Sequence, residues 1–256
     1  MEGDVIWLAL AFCVVAFLYA SVGFGGGSSY TAILAIAGLS AAAIPVVSLT
    51  CNLIVASGGA YRFISKGHFP ARRMAPLFYL SLPMAYLAGR YRIGPTAYFM
   101  LLAIALAVAA FLLWRQRTVD QPNELQSLPK PAALGIGAFL GTLSGLTGIG
   151  GGIYLSPVLM LKRWAMPKEA AATAALYILL NSIAGLAGQL SKPGSAEHVG
   201  LLLPLGAAVL VGGTLGSHFG SGRFSPELLK RGTAVLVGIV AIRLLVGSFS
   251  LILQSS

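Results

Sequence analysis

The chain has 256 residues, 57% of them hydrophobic and only 9% charged, with a mean hydropathy of +0.86. So few charges cannot clothe a water-exposed surface, since soluble domains carry about 25%, and so much apolar content excludes disorder, which leaves a polytopic membrane protein. The net charge of +10, from 17 Lys+Arg against 7 Asp+Glu, sits between apolar runs and reads as a topology signal, not a nucleic-acid surface.

The opening residues, MEGDV, carry Glu2 and Asp4, and no cation precedes Arg62. A signal peptide begins with a basic stretch, so the first apolar run is expected to be retained, with a non-cytoplasmic N-terminus. Apolar runs follow at about 4–22, 28–38, 42–64, 74–90, 96–114, 132–147, 153–161, 169–190, 199–217 and 232–253. A spanning helix needs about 20 apolar residues. The runs 28–38 and 153–161 are too short, and each follows a glycine cluster, which breaks a helix through backbone entropy. Between the fifth and sixth runs lies a polar linker, Gln116–Pro131, with three prolines and four charges. It divides the chain into a first repeat, 1–115, and a second, 132–256. Cys13 and Cys51 lie inside apolar runs without metal-ligand spacing and read as packing residues.

The halves repeat one another. Gly23-Phe24-Gly25-Gly26-Gly27 matches Gly148-Ile149-Gly150-Gly151-Gly152 at a displacement of 125 residues, and Asn52 matches Asn181 at 129. Ala85-x-x-x-Gly89 matches Gly212-x-x-x-Gly216 at 127, and Gly94-Pro95 and Ser225-Pro226 each open a last helix. If each cluster is the tip of a hairpin that enters and returns on one side, each half has three further spans, and the second half is inverted. Thirteen cations (Arg62, Lys66, Arg72, Arg73, Arg115, Arg117, Lys130, Lys162, Arg163, Lys168, Arg223, Lys230, Arg231) then face inside, against Arg90, Arg92 and Lys192 outside. Eight plain spans divide the loop cations evenly, so the positive-inside rule favours the hairpins. The expected fold is an all-α polytopic membrane protein of two inverted repeats, each a Gly-tipped broken helix or re-entrant hairpin plus three transmembrane helices.

These paired clusters carry a resemblance. VGFGGGSS before the Asn52 helix, and LTGIGGGIYLSPVL before AAATAALYILLNS, are similar to the two signature regions of the TauE/SafE family of sulfite and organosulfonate exporters or permeases. The resemblance covers nearly the whole chain and implies a permease for a small sulfur-containing anion in the cell (inner) membrane. One departure stands out: Ser28-Ser29-Tyr30-Thr31-Ala32 follows the first cluster without the proline found at Pro157 in the second.

The residues themselves give a physical reason for anion binding. A helix break frees backbone N–H groups, the following half-helix starts with roughly half a positive charge, and glycine lets an oxyanion approach. The candidate substrate site is therefore Gly23, Gly25, Gly26, Gly27, Ser28, Ser29 and Thr31 with Asn52 in the first half. In the second it is Thr147, Gly148, Gly150, Gly151 and Gly152 with Asn181. Against this, the glycines could serve only close helix packing, the hydroxyls could bond their own helix carbonyls, and each Asn could contact the ligand or tie down a hairpin tip. Gly212, Gly216 and Gly220 read as helix packing. Arg243, inside the last run, either attracts the anion or snorkels to a headgroup.

All seven acids lie at ends or loops, which argues against a carboxylate proton relay. No metal, cofactor or nucleic acid is expected. The partners are the small anionic substrate and the lipid bilayer, and a homo-oligomer is compatible with the sequence. Two rivals remain in play: an anion-selective channel, and an intramembrane hydrolase built on Ser144 with His198 or His218.

Overall fold

The computed structural model describes residues 2–22, 25–115, 125–192, 199–219, 231, 234–235 and 237–246. Every regular element among the described residues is helical. In chain order these are α1 (Glu2–Val22), α2 (Gly27–Ile36), α3 (Ala43–Ser65), the single turn α4 (Ala71–Met74), α5 (Pro76–Arg90), α6 (Pro95–Arg115), α7 (Lys130–Thr147), α8 (Gly152–Leu161), α9 (Pro167–Leu190) and α10 (Val199–Phe219). A further helical segment spans Val237–Val246. Gly23, Phe24, Gly220 and most of the polar linker lie outside the described residues, and the linker's last two residues already belong to α7.

Proline and glycine set the ends. Proline opens α5, α7 and α9 in the first turn, where its missing N–H costs nothing. Gly148, with φ +81°, stops α7 in the left-handed region. α3, α6 and α9 are long and apolar enough to cross a membrane. α2 and α8, with 10 residues each, extend only about 15 Å at 1.5 Å per residue.

Two close helix pairs run through glycine. Gly137, Gly141 and Gly145 of α7 sit on the carbonyls of Leu77, Ser81 and Ala85 of α5, where a Cβ would overlap backbone. Gly212 and Gly216 of α10 sit likewise on the carbonyls of Cys13 and Phe17 of α1. In both pairs the numbers advance together, so the helices are parallel. Each pair joins the first half to the second. The packing reading of Gly212 and Gly216 matches this contact. At the centre α3 packs against α9, antiparallel, with Leu49 beside Gly185 and both Asn52 and Ile178 beside Gly150.

The loops collect at two ends. At one, which we term the basic end, Lys66, Arg72 and Arg73 follow α3. Arg73 Nη2 meets Glu169 Oε2 of α9's first turn at 2.5 Å, and Glu169 Oε2 also accepts the Met166 N–H at 2.9 Å. The Gln126 N–H donates to the Arg163 carbonyl at 2.9 Å, so the approach to α7 and the exit from α8 lie together. α7 and α8 thus leave from and return to one end. α1 runs toward that end, where Arg62 Nη2 donates to the Ala20 carbonyl at 3.4 Å, and α2 runs back to the turn at 37–42 at the other. Lys192 lies at this second end and donates to Gln189 Oε1 at 2.7 Å. Burial, and then the nearby Arg92 guanidinium, lower the Lys192 ammonium below the ordinary lysine value.

Candidate substrate site where the glycine clusters meet

The two glycine clusters touch, and α3 supplies the contact. Ser48 Oγ donates to the Gly148 carbonyl at 2.9 Å and lies 3.3 Å from the Gly27 carbonyl. One turn on, Asn52 Nδ2 donates to the Ile149 carbonyl at 3.3 Å and lies 3.5 Å from the Gly148 carbonyl. Ser48 and Asn52 are both 0% exposed. A spacing of four residues puts them on one face of α3.

Each glycine at this contact is required by what it faces. A Cβ on Gly27 would fall on the Ile149 carbonyl oxygen and the Asn52 amide, and one on Gly25 would meet Ile178 Cγ2 at 3.0 Å and Asn52 Oδ1 at 3.2 Å. Gly148, Gly150 and Gly151 all have positive φ. That run turns the Gly148 and Ile149 carbonyls onto α3. Where the sequence pointed to backbone N–H donors, the groups that the second cluster presents to Ser48 and Asn52 are therefore acceptors. The starts of α2 and α8 follow directly, with Gly26 and Gly151 as N-caps and no side-chain cap bond at either.

The remaining candidate residues divide clearly. Thr31 Oγ1 donates to its own helix, to the Gly27 and Ser28 carbonyls at 3.0 Å each. Thr147 Oγ1 donates to the Leu143 carbonyl at 2.7 Å. Ser29 Oγ pairs with the Tyr19 hydroxyl at 3.0 Å. Ser28 is buried with its hydroxyl unpartnered. Asn181 has both polar ends engaged: Oδ1 accepts from Ser81 Oγ at 3.0 Å, and Nδ2 donates to the Tyr177 carbonyl at 3.0 Å. Asn52 Oδ1, in contrast, has no partner. Arg243 is exposed. Gly23 and His198 lie outside the described residues. Ser144 sits far along α7 from the basic end, whereas His218 occupies the last turn of α10, which runs toward that end. The two cannot act as nucleophile and base in this arrangement.

Ser48 and Ile178 belong to this contact and escaped the sequence reading. Ser48 had one usable signal, its position a turn before Asn52. Ile178, packed on Gly25, Gly150 and Gly152, had none, because one isoleucine in a spanning helix looks like any other.

The family model described as Sulfite exporter TauE/SafE matches residues 8–244. The chain belongs to this family. The chain is also 34% identical over 250 residues to the "Probable membrane transporter protein y4hK" of Sinorhizobium fredii (strain NBRC 101917 / NGR234), which covers 96% of the chain and 100% of the relative. No solved structure matches. As a TauE/SafE member the chain is an integral membrane protein of a transporter family. The resemblance read from the paired glycine clusters is the correct one, and the clusters it rests on are the parts that meet at Ser48 and Asn52.

Proposed function

We propose that the chain carries a small sulfur-containing anion, such as sulfite or an organosulfonate, across the inner membrane by alternating access between two inverted halves. The observation that carries this reading is the meeting of the two glycine clusters at Ser48 and Asn52, deep in the helical core, from hairpins that start at opposite ends. Irregular backbone at membrane depth is tolerated where it is buried in protein or lines a substrate path.

The helix pairings support the inverted halves. Exchanging the halves turns α1 with α10 into α7 with α5, α10 with α3 into α5 with α9, and α2 with α3 into α8 with α9, and all six pairs are in contact. The charge pattern supports the orientation. Arg62, Lys66, Arg72, Arg73, Arg115, Lys130, Lys162, Arg163 and Lys168 lie toward the basic end, against Arg90, Arg92 and Lys192 at the other. By the positive-inside rule the basic end is cytoplasmic. The binding residues are those of the clusters with Ser28 and Asn52. Asn181 acts as a tie between α9 and α5.

The tightness of the contact supports alternating access. The space a Cβ would need at Gly27 is already filled by the Ile149 carbonyl and the Asn52 amide. No oxyanion fits between the clusters, so substrate enters only as the tips part. A tip held by few hydrogen bonds parts at low cost, which suits a site that must also release its ligand. Uptake into proteoliposomes of sulfite, thiosulfate, sulfoacetate and sulfate tests the reading. Saturable flux with counterflow is expected for at least one. Flux of none sinks the assignment, and conductance without saturation indicates a channel.

A further inference from the structure

Ser48 and Asn52 form a fork of two donors from α3 that converges on one oxygen, the Gly148 carbonyl, with the Ile149 carbonyl beside it. Both side chains are fully buried, and their donors face the Gly148 and Ile149 carbonyls that the second cluster turns toward α3. We infer that this fork is the oxyanion contact of the transporter, that Ser48 is a ligand residue within it, and that the Gly148 and Ile149 carbonyls are stand-ins that occupy the fork while the site is empty. The inference rests on the anion reading above and names the atoms that hold the anion.

Three observations carry it. A carbonyl oxygen and an oxyanion oxygen are both acceptors, so donors that satisfy one satisfy the other, and more strongly when the acceptor is charged. Asn52 Oδ1 faces Gly25 without a partner. A bare acceptor there repels an anion, which places the ligand on the Nδ2 side, next to Ser48. The matching positions of the second half are closed to such a role: Asn181 is bonded at both ends, and Tyr177, which replaces Ser48 in the repeat, donates to the Gly137 carbonyl at 3.1 Å. The contact is therefore one-sided. As substrate takes the two donors, the second cluster loses its hold on α3, so ligand binding and separation of the tips are one event. The buried donors are never left unpaired in the exchange.

The test compares Ser48→Thr with Ser48→Val in proteoliposomes, measuring the KM and Vmax of sulfite uptake. The two side chains have the same shape and differ in the hydroxyl, so any cost of branching in α3 is shared. If Ser48 donates to the anion, Ser48→Val raises KM about tenfold over Ser48→Thr, the ratio that one hydrogen bond to a charged group supplies. If Ser48 only clasps the tips together, its loss frees them to part, and KM falls or stays the same. Either of those results overturns the inference while wild-type flux leaves the anion reading standing. Absence of wild-type flux for every anion in the panel defeats that reading itself. Should both variants fail to elute as monodisperse protein, Ser48→Ala against wild type gives the same contrast in sign.

Discussion

A methyl group added at Gly27 has nowhere to go, because its position is occupied by the backbone oxygen of Ile149 and the amide of Asn52. Neither can retreat without opening the contact between the clusters. Gly27→Ala is therefore expected to abolish most sulfite flux and to cost about 1–3 kcal/mol of stability, the range for overpacking a filled core. Gly58, on α3, has nothing within 4 Å of its would-be Cβ. Gly58→Ala should leave flux intact and raise thermal stability slightly, since alanine favours a helix interior by about 0.5–1 kcal/mol. Equal effects of the two substitutions on flux and melting would refute the close contact at Gly27. Asn181 is a different case. Its amide ties α9 to Ser81 and to its own helix, so Asn181→Leu takes the Oδ1 acceptor from the buried Ser81 hydroxyl, which keeps only its bond to the Tyr177 hydroxyl, at a cost of about 0.5–1.5 kcal/mol. The expected readout is a lower melting temperature in detergent with an unchanged sulfite KM. A raised KM would return Asn181 to the ligand site.

Helix pairing is decided by spacing of small residues rather than by apolar faces. Lipid is as apolar as leucine, so a spanning helix gains little by hiding one side, and close packing selects its partner. The face of α7 that carries Gly137, Gly141 and Gly145 lets it lie on three consecutive turns of α5. Gly141→Val drives its side chain into the Ser81 carbonyl and should leave little monodisperse protein after extraction. Gly135→Val on the same helix, where nothing lies within 4 Å, should extract like wild type. Similar yields for the two would show that α5 and α7 do not pack as described. The position of most helices was legible in the sequence for a related reason. Glycine and proline mark their ends, so the run read at 28–38 is α2 at Gly27–Ile36, and the run at 153–161 is α8 at Gly152–Leu161. The partners were not legible. α5 pairs across the halves with α7, and nothing in the apolar run 74–90 names its partner. The same limit hid Ser48, since a serine in a helix ordinarily bonds its own backbone, as Thr50 does to the Val46 carbonyl at 2.8 Å.

At the scale of the whole molecule, charge in the sequence and contacts in the structure bear on one question, which loops share an end. Cation counts alone preferred hairpins to plain spans. The Gln126–Arg163 bond and the Arg73–Glu169 pair bring the loop after α3, the approach to α7 and the exit of α8 to one end by a separate route. The turn at 37–42 must then be at the far end of α3, whose 23 residues extend about 34 Å, more than a hydrocarbon core of about 30 Å. Two single-cysteine positions follow from this, Ser40→Cys in that turn and Lys168→Cys at the start of α9. Both residues are exposed. The native thiols interfere little, because Cys51 is buried and Cys13 half-buried within helices. An impermeant maleimide added to intact cells should label position 40 and not position 168, and the order should reverse in inside-out vesicles. Arg73→Ala should then increase labelling at position 168 in those vesicles, because Glu169 loses its cross-loop partner and holds the first turn of α9 only through the Met166 N–H. Labelling of both positions from the same side would overturn the inverted arrangement, since it would require α3 to begin and end on one face.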